Sequence, residues 1–440
     1  MESLQYLFYF IIFVPGVLSR LIYFGTDIDN SNNHDVIKRL SSDSCGGQES
    51  IRLSGVGLDE IPKNFVISNA IKRINLENNE LVDIPTGMFD DVQQLECLNL
   101  AWNKIPLQRF FDFKHDGLKT LILDHQKNFT GLNFYFLDSH NTQSWKMRPN
   151  LPKLENLHMN GMYSYEYYKQ FNNSFLSLRK LYLTDNRLKS HDMANIFATL
   201  PVNVESLHLE RNKISTVDLQ WFGNLDSLHL DENPLSDISI KSNALKLLSL
   251  KNCSFYALTE YLFTIFAPSL QILDLSSNQI KTINSNVFSN MPVLEVLSLD
   301  RNTLSTIPYL RSLERLERLS LAYNQIEQVT ASMLPGTLRR LDLQGNRISN
   351  IDEDTFASLG YLEELDLSHN ELRVLPAGWS MNLEMLTYLN VKANQLNNIS
   401  DMSIEFLTNL KELYIKDNQI TSIDLPALQL VPEGCTVYVV

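Results

Sequence analysis

The stretch VESLHLERNKI (204–214) is followed shortly by LDSLHLDENPL (225–235), with leucines, a histidine and an asparagine at the same offsets. In Leu207-His208-Leu209 successive residues of a short extended segment alternate faces. The two leucines therefore point one way and the histidine the other, toward solvent. Neither stretch is long enough to bury its own leucines, so copies of the unit must stack on one another. Working outward, the template L-x-x-L-x-L-x-x-N-x-L recurs through most of the chain, with its asparagine at Asn79, Asn103, Asn186, Asn212, Asn233, Asn278, Asn302, Asn324, Asn346, Asn370, Asn394 and Asn418. Val56, Gln126, Met162 and Cys253 take that place in four further units, sixteen in all. An inward asparagine can bond free backbone groups of adjacent turns and hold the stack in register.

The template is the signature of the leucine-rich repeat. Over about residues 50–425 the chain resembles the extracellular leucine-rich repeat proteins of animals. The fold expected is an α/β repeat, a leucine-rich repeat solenoid (horseshoe) of about 16 repeats with a parallel concave β-sheet. IPTGMFDDVQQL (84–95), INSNVFSNMPVL (283–294) and IDEDTFASLGYL (351–362) each place a phenylalanine five residues after an isoleucine, to cap the core from the convex side. In overall pattern the chain is most similar to secreted repeat proteins of insects such as the mosquito leucine-rich immune proteins. It departs from them in having no coiled coil and no double-cysteine motif. This resemblance implies a secreted protein that recognises extracellular or cell-surface proteins in innate immunity or complement-like complexes. The alternative is an adhesion or developmental ligand for a cell-surface receptor.

The ends and interruptions complete the organisation. The apolar run YLFYFIIFV (6–14), then Pro15-Gly16 and the small residues Val17 and Ser19, read as a signal peptide over 1–19. Arg20 and the Pro-Gly pair disfavour the rival reading, a membrane-inserted signal anchor. Residues 20–49 form a polar leader or N-terminal cap, 50–425 the repeat domain, and 426–440 a short cap strand with Val437 and Val439 inward and Tyr438 outward. Between Gln126 and Met162 the period lengthens, so 134–150 contains an inserted loop, beside the tyrosine-rich MYSYEYYKQF (162–171). A net charge of -14 opposes a nucleic-acid partner.

Four cysteines allow three full pairings, among them Cys45 with Cys97. Cys253 is expected buried and unpaired, and Cys435 is the candidate for an intermolecular disulfide in a homo- or heterodimer. Of four Asn-x-Ser/Thr acceptors, Asn128, Asn172 and Asn398 fall in loops and are candidates for glycosylation; Asn252 is expected to be enclosed between turns and poorly used.

No phosphate loop, nucleophile elbow or zinc-protease motif is present, and no cofactor is expected. Candidate ligand-binding residues therefore come from the columns that face away from the leucines. They are Asp124, His158, Tyr182, His208, Glu210, His229 and Asp231. Three readings of this patch stand: a solvated face, a protein-binding surface, and a metal or catalytic centre. For the last, His208 and His229 on adjacent rungs could share an ion, while His158 lies too far along the column to join them.

Overall fold

A computed structural model describes residues 45–439, apart from 46, 63–64, 86, 107–109, 111–112, 128–149, 163–174, 221–223 and 421–428. The expected signal peptide, the expected leader before Cys45, the expected inserted loop up to 149, most of the tyrosine-rich segment, Asn128 and Asn172 lie outside the described residues.

The chain forms two compact units, Met1–Leu181 and Tyr182–Val440. In the first, the three-residue strands Ser50–Arg52, Arg73–Asn75, Cys97–Asn99, Thr120–Ile122 and Asn156–His158 pair in parallel in chain order. In the second, Ser206–His208, Ser227–His229, Leu247–Ser249, Ile272–Asp274, Val296–Ser298, Arg318–Ser320, Arg340–Asp342, Glu364–Asp366, Tyr388–Asn390, Glu412–Tyr414 and Thr436–Tyr438 do the same. With Lys180–Tyr182 at the boundary, each of the sixteen template positions has its strand, and the CTVYVV segment adds one more. The architecture is a leucine-rich repeat solenoid with a parallel sheet.

The register places leucine on leucine, for example Leu207 on Leu228 and Leu319 on Leu341. Both leucines of each L-x-L are buried, Leu207, Leu209, Leu228 and Leu230 completely. Each such side chain contributes about 1.5–3 kcal/mol of transfer free energy. Phe89, Phe288 and Phe356 close the core on the opposite side and are likewise buried.

The asparagines link successive turns. Asn302 accepts the Ile280 N–H at 3.0 Å and donates to the Leu275 and Leu299 carbonyls at 3.0 and 2.9 Å. Asn346, Asn370 and Asn394 repeat this pattern in turn. Gln126 performs the same bridge with a longer arm, accepting from Ile105 N–H at 2.9 Å and donating to the Leu100 and Leu123 carbonyls. At Cys253 the bridge shrinks to weak thiol contacts, 3.5 Å from Leu230 O and 3.8 Å from Lys251 O.

The residue before the ladder position adopts left-handed backbone on rung after rung, among them Trp102, Arg211, Glu232, Arg301, Tyr323 and Ala393. Gly345 holds the same place, and there the Tyr323 ring would come within 2.6 Å of an added Cβ. Asn252 is another such residue, at φ 51° and exposed. Its expected enclosure between turns is therefore corrected: the turn aims its side chain outward.

The outer side of the second unit departs from the phenylalanine pattern. The 26-residue interval between Asn186 and Asn212 accommodates an α-helix, Ser190–Thr199, which buries Met193 and Ile196. Asp192 accepts the Lys189 N–H at its start. The shorter intervals that follow carry strands instead. Thr216–Gln220, Asp237–Lys241 and Phe263–Phe266 pair in parallel, burying Val217, Leu219, Ile238, Ile240, Phe263 and Ile265.

Cys45 and Cys97 form a disulfide, with Cα atoms 5.5 Å apart. The bridge ties Cys45 to the third strand, past the first two, and it packs against Ala101 and Ile122. Cys253 is buried and free, while Cys435 is part-exposed and free. In the last strand Val437 sits in register with Leu413, but Val439 is 45% exposed, which corrects its expected inward placement.

Candidate functional site

The residue between the two leucines does point away from the core, yet it is not solvated. His158, His208 and His229 are 1%, 3% and 6% exposed, which overturns the expectation that His208 faces water. The cause is the strand spacing. Parallel strands lie about 4.8 Å apart, which brings flat rings on adjacent rungs into face contact, and flanking side chains cover their edges.

In the second unit Tyr182 stacks on His208, ring centroids 4.3 Å apart and 14° from parallel. His208 stacks on His229 at 4.2 Å and 6°. One edge of this column is lined by serine hydroxyls. Ser206 Oγ lies 3.1 Å from His208 Nε2, Ser227 Oγ 2.9 Å from His229 Nε2, and the two hydroxyls are 3.2 Å apart. On the other edge His208 Nδ1 lies 2.8 Å from Glu210 Oε1, and Thr184 Oγ donates to Glu210 Oε2 at 2.8 Å.

The charge states follow. Burial would raise the Glu210 pKa, but the His208 hydrogen bond, then the charge of His208, outweigh it and hold the carboxyl below its usual range. His229 has no comparable hydrogen-bonded acid, and burial, aided by the neighbouring His208, pushes its pKa down to about 4. At neutral pH His229 is therefore an uncharged imidazole. Asp231 turns to the next rung, accepting from Ser249 Oγ at 2.5 Å and Lys251 N–H at 2.8 Å; burial raises it to about 6.

Of the residues singled out from sequence, Tyr182, His208, Glu210 and His229 are brought together, with Asp231 flanking them. Asp124 and His158 belong to the first unit. There Asp124 accepts from the Asn160 backbone and side-chain N–H groups, and burial raises it to about 6. Sequence reasoning missed Ser206 and Ser227, although both quoted stretches read S-L-H-L. Further along, Asp342 and Asp366 are directly opposite in register, and burial, together with Asp366 and Asp300, pushes Asp342 up to about 7.

Known proteins share this arrangement of repeats. A family model described as leucine rich repeat matches residues 243–304, 268–326 and 336–396, and a second one 203–225. Mouse lumican is 32% identical over 56% of this chain and 71% of its own length. Mouse podocan is 25% identical over 89% of this chain and 73% of its own. The chain belongs to the leucine-rich repeat family. Within that family it is related to the small leucine-rich proteoglycans podocan and lumican. Among solved structures, the Toll–Spatzle complex of Drosophila aligns with a TM-score of 0.61 at 19% identity, covering 88% of this chain and 53% of that one. A leucine-rich repeat protein of Leptospira interrogans aligns at 0.53 and 22%, covering 88% and 94%. These two likenesses speak to the fold. No helix among the described residues is long and apolar enough to cross a membrane.

Two imidazole nitrogens and a carboxylate oxygen, from His208, His229 and Glu210, all lie within 4.8 Å of one another.

Proposed function

We propose that this leucine-rich repeat protein is extracellular and binds other proteins through the sheet face of its second unit, around Tyr182, Glu210, His229 and Asp231. The observation that carries the reading is the stacked column. Its backbone repeats rung by rung, so the side chains are held in fixed relative positions and lose little freedom on binding. The buried rings form a stiff floor, and the part-exposed Glu210 and Asp231 supply charge at its edge. This is a binding role and not a catalytic one.

Kinship with lumican and podocan supports an extracellular matrix setting, which is compatible with the adhesion alternative drawn from the sequence. Service in insect innate immunity, in complement-like complexes, is the narrower reading and has less support. A covalent dimer through the part-exposed Cys435 belongs to the same proposal, and molar mass with and without reductant tests it. Asn398, exposed at the start of the turn Ile399–Met402, is proposed to carry glycan.

The test captures a partner from the protein's native extracellular fluid on the wild-type chain, purifies it and titrates it against variants in the presence of EDTA. Tyr182→Ala combined with Asp231→Ala is expected to weaken binding at least about tenfold. Unchanged affinity, with loss on altering the outer-side residues Tyr261 and Phe266 instead, would move the interface off the sheet.

A further inference from the structure

We propose that His208 Nδ1, His229 Nδ1 and Glu210 Oε1 form a binding site for a divalent transition-metal ion of the zinc class. Two imidazoles and one carboxylate are a donor set that zinc takes in proteins, with a fourth position left to water or to a group on a partner. The three residues come from two adjacent rungs, one donor atom of each lies within 4.8 Å of the others, and His208 Nδ1 is 2.8 Å from Glu210 Oε1.

The surroundings resemble the support that ligands of a metal site receive. Ser206 and Ser227 stand at the Nε2 atoms of the two histidines, 3.1 and 2.9 Å away, where each can accept an N–H and leave Nδ1 to the ion. Thr184 fixes the far oxygen of Glu210. The Nε2 atom of His229 is taken by Ser227, and its Nδ1 makes no hydrogen bond to the described residues, which leaves Nδ1 for the ion.

Two adjustments are required. The 2.8 Å hydrogen bond between His208 Nδ1 and Glu210 Oε1 must open; its proton leaves for solvent as the ion takes both atoms, with Nε2–H donating to Ser206 Oγ. The rings are also too nearly parallel, at 6°, for both lone pairs to meet one ion. His229 must turn out of the stack. Its neighbour on the far side is Ser249, directly opposite in register and small enough to leave room.

The site uses side chains of the proposed recognition surface, but its test needs no partner. The full secreted chain is stripped with EDTA, dialysed, and titrated with zinc alone by calorimetry, with cobalt absorption as a second readout. One ion per chain is expected, at micromolar affinity or tighter. His229→Ala and Glu210→Gln are each expected to weaken it at least about tenfold and to abolish the tetrahedral cobalt bands. His191→Ala, which removes an exposed imidazole beside Asp192 on the outer helix, leaves both unchanged. Thermal melts check folding, and Glu210→Gln, nearly isosteric, serves if His229→Ala fails to fold. Absence of binding, or binding undiminished in folded Glu210→Gln, overturns the proposal. Zinc binding without partner binding, or the reverse, separates this inference from the recognition reading.

Discussion

Replacing Asn302 by alanine removes one complete bridge between turns. Its Oδ1 accepts from Ile280, and its Nδ2 donates to the carbonyls of Leu275 and Leu299. Asn302 is 6% exposed, so these three backbone groups, and the Asp300 carbonyl 3.2 Å from Nδ2, have little water to turn to. Three lost hydrogen bonds at about 1 kcal/mol net each, plus a desolvation penalty where water fails to enter, give about 3–5 kcal/mol. The assay is urea unfolding followed by circular dichroism. Asn350→Ala serves as control, since that side chain is exposed and, among the described residues, hydrogen-bonds only to Ser349 Oγ at 3.3 Å. The control is expected within about 0.5 kcal/mol of wild type. A cost below about 1 kcal/mol for Asn302→Ala would refute the claim that the ladder holds the turns in register, leaving leucine burial to do so alone.

Three further outcomes are expected. Ala393 sits in left-handed backbone at φ 53°, where Gly345 occupies the same place one pair of rungs earlier, so Ala393→Gly should stabilise by about 0.5–1 kcal/mol in the same urea titration. A thiol reagent should label one cysteine in the native monomer, Cys435, and a second only after unfolding. Cys253 is buried, and burial pushes its thiol up to about 12. The Asp342 pKa of about 7 lies above its unfolded value of about 3.9, so the folded chain binds the extra proton and loses stability as pH rises between the two. Asp342→Asn should therefore match wild type near pH 4 and exceed it above pH 7, by roughly 1–2 kcal/mol after allowance for solvent contact; equal curves at both ends would remove Asp342 as the titrating group.

The strands were legible because each unit advertises itself at fixed offsets: two leucines, then an asparagine whose amide has one geometric use. Even the substitution at Gln126 follows, since one added methylene still reaches the same carbonyls. The outer side was less legible, because several structures satisfy the same core from there. TVDLQ and DISIK do alternate, with Val217, Leu219, Ile238 and Ile240 inward, but such runs are short and sit within the longer leucine period. The histidine column shows a different limit. Alternation correctly turned His208 away from the leucines, but exposure depends on what lies on the neighbouring rung. Tyr182 and His229 cover its two faces, a relation set by register between residues some twenty positions apart. The Cys45–Cys97 bridge was one of three open pairings because nothing local marks a link that reaches past two strands to the third.

The most direct test of the recognition surface is carbodiimide labelling of carboxylates, read by mass spectrometry, with and without the captured partner. Glu210 and Asp231 lie on the proposed surface, whereas Asp218 and Glu260 are exposed on the outer side of the same unit. The account predicts that the partner protects Glu210 and Asp231 and leaves Asp218 and Glu260 unchanged. Protection of Asp218 and Glu260, with Glu210 and Asp231 labelled as before, would contradict it.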